Sequence, residues 1–133
     1  IQAAIPDVGV HDMVRFREFT RGFHWIEEYG SSYQPADLAY LLQYSPIHSV
    51  KPGTNYPAIL IKTGSKDDRV SPVHSYKLAA TLQNAQPAKG NQPILLRNYP
   101  FSAHGPSNRA ESAKQTTENY LFLFRVLDMK MPE

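Results

Sequence analysis

Residues 57–70 read PAILIKTGSKDDRV, a strand-like run Pro57–Thr63 that gives way to a turn in which Asp67, Asp68, Arg69 and Val70 stand together. A short continuous apolar run bounded by turn residues is the pattern of a strand buried on both faces, as parallel strands are. The pattern recurs at Pro93–Arg97 (PILLR), and the loop after it holds Ser102, Ala103, His104 and Gly105. Between the two runs the sequence predicts a helix. Ser71 caps it, Pro72 takes its first position, and Val73, Tyr76 and Ala80 recur at i, i+3 and i+7. Strand–helix–strand–helix order predicts an α/β fold with parallel strands, right-handed crossovers and flanking helices.

Working outward, Ile1–Ile5 (IQAAI) reads as another buried strand, interior like the other two. Pro6–Tyr33 is irregular and rich in aromatic residues, with short helices expected at Asp12–Phe16 and around Trp25–Glu28. Pro35–Tyr44 reads as a helix, with Pro35 in its first turn and Leu38, Leu41 and Leu42 on one face, and Pro46 stops it. Ser45–Tyr56 and Asn84–Asn91, the latter with Pro87 and Gly90, read as loops. Ala110–Met129 is the longest predicted helix, with Ala113, Thr117, Tyr120, Phe124 and Leu127 along one stripe. No internal repeat and no low-complexity segment is present.

A chain of 133 residues fits a single domain. A net charge of +2, with no long basic or acidic tract, implies no nucleic-acid partner. No apolar run approaches the ~18 residues of a membrane span, so no membrane partner is implied. The absence of cysteine excludes disulfides and thiol catalysis. It suits a reducing compartment, and we expect the cytoplasm, with the periplasm as the alternative. The chain starts at Ile1 inside a strand-like run. The expectation is a piece of a longer protein.

A carboxylate and then a histidine, each on a loop just beyond a strand, follow the chain order of the last two members of an α/β-hydrolase triad, Ser…Asp…His. Loops at the carboxyl ends of parallel strands are where open α/β sheets bind ligands. An imidazole acting as a base needs a carboxylate to hold its tautomer, and Asp67 or Asp68 could serve His104 in that way. The nucleophile is missing: none of the ten serines lies in a G-x-S-x-G elbow. The expected fold is therefore the C-terminal part of an α/β-hydrolase fold. The plainer reading makes the aspartate a turn or cap residue and His-Gly an ordinary loop. His24 with Glu27 lacks the second histidine of a zinc helix. His11, His48 and His74 read as loop or surface residues, and no metal or cofactor is implied.

Several stretches resemble the prolyl oligopeptidases. They are Gly9–Phe16 (GVHDMVRF), Gly22–Gly30 (GFHWIEEYG), Tyr44–His48 (YSPIH), Asp67–Ser75 (DDRVSPVHS) and Ala79–Gln83 (AATLQ). The resemblance runs nearly end to end, strongest in the Asp-Asp-Arg-Val block and the upstream tryptophan. It implies Asp67 and His104 as the triad aspartate and histidine, with Asp68 structural. It further implies that Trp25 stacks on a substrate proline ring, that Tyr29, Val10 and Val70 line the same pocket, and that Arg69 holds a substrate carbonyl. These roles make physical sense. Proline is an apolar ring without an N–H, which an aromatic face recognises well. A guanidinium offers several fixed donors to a desolvated carbonyl. The glycine-rich block around the family's serine, its oxyanion-hole tyrosine and its β-propeller are absent, and Phe101–Arg109 departs from the family's wording outside His104-Gly105.

The expectation is residues 1–133 as a partial catalytic domain of a serine endopeptidase that cleaves short peptides after proline, inactive by itself. Its partners would be short proline-containing peptides and the missing N-terminal part of the same protein. The alternatives are another α/β-hydrolase, an esterase or dienelactone-type enzyme, and a non-catalytic peptide-binding module.

Overall fold

A computed structural model describes residues 1–87, 89 and 92–130. Its centre is a parallel sheet of three strands in the order β1-β2-β3: β1 Ala3–Ala4, β2 Ala58–Gly64 and β3 Ile94–Tyr99. All seven residues of β2 are buried. Ile59 and Ile61 point to one face, where Leu78, Ala79 and Leu82 of the helix α4 (Val73–Ala85) cover them. Ala58 and Leu60 point to the other, against Phe122 of the helix α5 (Arg109–Val126). Each large aliphatic side chain so buried contributes about 1.5–3 kcal/mol. A helix on each face of a parallel sheet is the layering the element order predicts.

The strand Ile1–Ile5 is shorter than expected. Only Ala3 and Ala4 pair, with Ala58 and Ile59, and they are half-buried. Pro6 has no N–H and breaks the ladder on its own side. Pairing with β2 resumes just beyond it, Lys62 N–H donating to Pro6 O at 2.9 Å and Val8 N–H to Lys62 O at 3.0 Å. Val8 sits at φ 45°, a strained region for a β-branched residue, and it turns the chain toward Gly9 and Val10. Lys62 lies inside β2 at 2% exposure, its Nζ 2.8 Å from Asp7 Oδ2. β3 is longer than expected and is not interior on both faces. As the edge strand of the described sheet, it leaves Leu95 and Leu96 exposed at 46% and 38%.

The aromatic segment before Pro35 folds as two 3₁₀ turns, Phe16–Glu18 and Gly22–Trp25, running into a single helical turn, α1 (Ile26–Tyr29). The helix α2 spans Pro35–Tyr44 as predicted, but only Leu41 is fully buried, while Leu42 is 43% exposed. Pro46 ends α2 and starts a further turn, α3 (Pro46–Ser49), inside the expected loop, because a proline is pre-set for a first helical position. Met13, Phe16 and Leu41 form a second small core here, with Val10, Trp25, Ile26 and Tyr29 around it.

Both predicted helix stripes are displaced. α4 buries His74, Ser75, Leu78, Ala79, Leu82 and Ala85, and leaves Tyr76 and Ala80 exposed. It begins at Val73, after Pro72, and the Ser71 hydroxyl accepts from Val73 N–H at 3.4 Å. α5 buries Gln115 and Phe122 and exposes Ala113, Thr117 and Tyr120. The buried faces carry polar residues, His74, Ser75 and Gln115, which apolar periodicity overlooks. In the loop Asn84–Asn91, Gly90 and Asn91 lie outside the described residues.

Candidate active site

β2 ends at Gly64, and the chain turns through Ser65 and Lys66 into Asp67, whose side chain is 0% exposed. Two of its hydrogen bonds are local: Oδ1 accepts from Arg69 N–H at 3.0 Å and from Val70 N–H at 2.8 Å. This Asx-type turn is what a short carboxylate does beside its own backbone. Oδ2 faces Nδ1 of His104 at 2.8 Å. Three donors on two oxygens offset the desolvation of a buried carboxylate, which an unpartnered one would not survive.

His104 arrives from β3. Ser65 N–H donates to Tyr99 O at 3.0 Å, and Lys66 N–H donates to Ser102 O at 3.0 Å, so the two loops are joined backbone to backbone. The approach is close enough to require glycine at position 64: a Cβ there would lie 2.2 Å from Ala103 O and 2.4 Å from Ser102 O. The His104 side chain is 33% exposed. A carboxylate accepts only, so Nδ1 carries a proton; in the neutral ring Nε2 is then the nitrogen with the lone pair that a general base needs. Among the described residues no serine hydroxyl is hydrogen-bonded to the His104 ring. Asp68 turns outward to Arg21, 3.1 Å away.

Arg69, two residues past Asp67, lines a cleft of about 270 Å³ together with Trp25, Arg21 and His24. The structure thus brings Trp25 and Arg69 to one cleft, Arg69 being tied through its N–H to Asp67. The carbonyl of Arg69 is fixed by the Thr20 hydroxyl at 3.0 Å. Tyr29 and Val10 share with Trp25 the cluster around Met13, Phe16 and Leu41, and Tyr29 meets Phe16 edge-on with centroids 5.7 Å apart. Val70 is buried at 6% next to Asp67. Arg21 escapes the sequence reading, and His24, weighed there only as a metal ligand, lines the cleft instead.

A second polar group, also unforeseen, lies between the aromatic segment and α4. His11 and His74 are buried at 7% and 1% exposure, not at the surface, while His48 is exposed. Asp12 N–H donates to Nδ1 of His74 at 3.1 Å, and Lys77 Nζ donates to Asp12 Oδ2. Met13 N–H donates to the Ser45 hydroxyl at 3.0 Å, and that hydroxyl meets His48 Nδ1 at 2.8 Å. Burial pushes His11 down to about 4, and it pushes His74 down to about 4 despite the nearby charge of Asp12. For Asp12, burial alone would raise the carboxyl. Hydrogen bonds from Lys77 and from Arg15 N–H outweigh it and hold the group below its usual range. No signal in the local sequence points to this group, because its halves lie more than sixty positions apart.

Among the described residues no trio of metal-ligating side chains is gathered, and no helix is long and apolar enough to cross a membrane.

Comparison with known proteins matches residues 2–130 to the sequence model of the prolyl oligopeptidase family. The chain is 37% identical over 132 residues to a prolyl endopeptidase of Dictyostelium discoideum, covering 98% of the chain and 17% of that protein. Prolyl oligopeptidase B of Galerina marginata, solved with a 35-residue hydrolysis and macrocyclisation substrate, superposes with a TM-score of 0.89 at 34% identity. The match covers 99% of the chain and 18% of that structure. A post-proline cleaving enzyme from Rickettsia typhi gives a TM-score of 0.89 at 30% identity, over 98% of the chain and 18% of its own. The chain spans less than a fifth of the length of each of these relatives.

Proposed function

The chain belongs to the prolyl oligopeptidase family, and from that premise we propose that residues 1–133 form the Asp/His half of the α/β-hydrolase domain of a serine endopeptidase that cleaves short peptides after proline. The observation that carries this reading is the pairing of His104 Nδ1 with the buried Oδ2 of Asp67 at 2.8 Å, with Nε2 left free. His104 Nε2 accepts the proton of a serine hydroxyl as that oxygen attacks the carbonyl carbon of the proline, and gives it to the leaving amine; water, activated by the same nitrogen, then hydrolyses the acyl-serine and restores the hydroxyl. The serine comes from a part of the protein outside these residues. Asp67 stays ionised, keeps the proton on Nδ1 and stabilises the imidazolium while it lasts.

The cleft beside the pair fits the substrate proposed. The Trp25 face takes the proline ring, with Tyr29, Val10 and Val70 as apolar support around it. Arg69 reaches a carbonyl of the bound peptide, its own backbone being fixed through Thr20. The test is turnover by the longer protein that carries this segment, on a proline amide and on a simple ester of the same leaving group. Hydrolysis of the proline amide that is lost in His104→Ala is expected. Ester hydrolysis with no cleavage after proline would overturn the reading in favour of an esterase of the same fold.

A further inference from the structure

One carboxylate holds both ends of the loop that carries His104. Glu111 stands in the first turn of α5. Its Oε2 accepts from the Ser107 N–H at 2.8 Å and from the Ser107 hydroxyl at 2.7 Å. Its Oε1 accepts from the hydroxyl of Ser102, a residue only 1% exposed. Ser102 precedes His104 by two positions and Ser107 follows it by three, so the carboxylate spans the loop at its base. The helix does not need this side chain as its cap. Asn108 fills that role, its Oδ1 accepting from Glu111 N–H at 2.9 Å. Both carboxylate oxygens are therefore directed at the loop.

The clasp also reaches the other half of the pair. Ser102 O accepts from Lys66 N–H at 3.0 Å, one residue before Asp67. A shift of Ser102 is thus passed to both loops at once. Bonds to an ionised acceptor are the stronger kind. Those from the Ser102 hydroxyl first, then from the Ser107 N–H and hydroxyl, hold Glu111 down to about 2, which favours the charged acceptor.

We propose that Glu111 is a positioning residue for His104: by clasping Ser102 and Ser107 it fixes the loop so that Nδ1 of His104 meets Asp67 Oδ2. The assignment rests on the reading of Asp67 and His104 as a catalytic pair. It adds a residue that touches neither of them and that neither triad order nor family resemblance singles out.

The test reads the imidazole and not turnover, so it is decided whatever the substrate of the longer protein proves to be. The histidine rings of the longer protein that carries this segment are labelled with nitrogen-15, and the Nδ1–H proton of His104 is followed by NMR. Wild type is expected to show one tautomer, with its proton protected from water. Glu111→Ala is expected to speed exchange of that proton about tenfold and to mix the tautomers, the effect of losing bonds of this kind. Glu111→Gln is expected to stay within about threefold of wild type, because its amide oxygen still accepts from Ser107 while its NH₂ donates to the Ser102 hydroxyl oxygen. Asn108→Ala, which uncaps the same helix, is expected to lower the melting temperature and leave the ring proton protected. Ser107→Ala removes the hydroxyl bonds to Glu111 and from Asn108 Nδ2 at an exposed position, and is expected to keep the fold and to speed exchange about threefold. A ring proton unmoved in Glu111→Ala or Ser107→Ala overturns the proposal. So does Asn108→Ala exposing it as much as Glu111→Ala, since Glu111 would then act only through the helix.

Discussion

Asp67 and Asp12 are built on the same local frame. In each, Oδ1 accepts from the N–H groups two and three residues ahead, Arg69 and Val70 at 3.0 and 2.8 Å, Val14 and Arg15 at 3.2 and 3.0 Å. In each, the side chain is fully buried and Oδ2 takes one partner from a distant segment. That partner is His104, 37 positions on, for the first and Lys77, 65 positions on, for the second. What differs is the partner. Lys77 is a donor with no acceptor lone pair to offer, and its pairing closes the contact between the aromatic segment and α4. His104 has a second nitrogen that the carboxylate leaves free, on a side chain that is 33% exposed. Equal carboxylate frames thus yield a tie to a lysine in one place and, in the other, the pair we propose as a proton shuttle. The chemistry is decided by the group they face.

The sharpest way to break this comparison is to disable each carboxylate in turn within the longer protein. His104→Ala is expected to lower kcat by about 10⁶-fold, and Asp67→Asn by about 10⁴-fold, through loss of the correct tautomer. Both variants should melt close to wild type. Steady-state kinetics with a proline amide, beside a thermal melt, checks both halves of that statement. Activity retained in Asp67→Asn would mean that Asp67 is as structural as Asp12.

Asp12→Ala is expected to do the reverse. It removes the acceptor for two N–H groups and for Lys77, at a cost of about 3 kcal/mol, the low end for breaking a buried pair because Lys77 is partly solvated. Denaturant unfolding measures that loss. Whatever catalysis survives in the folded fraction should keep its KM.

Acid should strike the Asp12 side of the molecule. His11 and His74 are held neutral by burial, with values about 4 against an ordinary 6.5. Their folded values are depressed, so their contribution is present above about pH 6.5 and is lost as pH falls toward 4. Between those limits the unfolded chain binds up to two more protons than the folded one. Stability should then fall by at most about 2.7 kcal/mol per pH unit. Melting temperatures of wild type and of a His74→Gln variant across pH 4–7 check this, since the variant should show a shallower slope.

The smallest effect concerns the cleft. Trp25→Ala in the longer protein is expected to raise KM for proline peptides about tenfold with little change in kcat, because ring stacking is made in ground and transition states alike. An ester without proline should be affected far less. An unchanged KM would leave Trp25 as packing on the Met13–Phe16–Leu41 cluster.

The strands β2 and β3 and the helix Pro35–Tyr44 were legible because an apolar run or a proline start is a local signal. The buried faces of α4 and α5 were not, since His74, Ser75 and Gln115 sit where the apolar count expects aliphatic residues. For His74 the partner that makes burial tolerable, Asp12 N–H, comes from tertiary structure and leaves no local trace. The same divide runs through the site. Asp67 and His104 were legible from their places after two strands in triad order. Asp12 lay within a quoted stretch yet carried no cue, since nothing local tells which of two identical turns will meet a lysine and which a histidine. Glu111 was equally silent: in the sequence it is one more acidic residue in a first helical turn.

The close approach at Gly64 has a bearing on when the pair comes into being. Gly64 pairs with Tyr99 at the last rung of the β2–β3 ladder, and its missing side chain admits the Ala103 and Ser102 carbonyls. A slip of one residue in that ladder moves the strands about 3.3 Å past each other and turns their side chains to opposite faces. Asp67 and His104 would then no longer meet. The pair therefore works as a checkpoint on strand alignment: it closes only after the long-range zippering of the sheet, the slow part of such a fold, has finished in register.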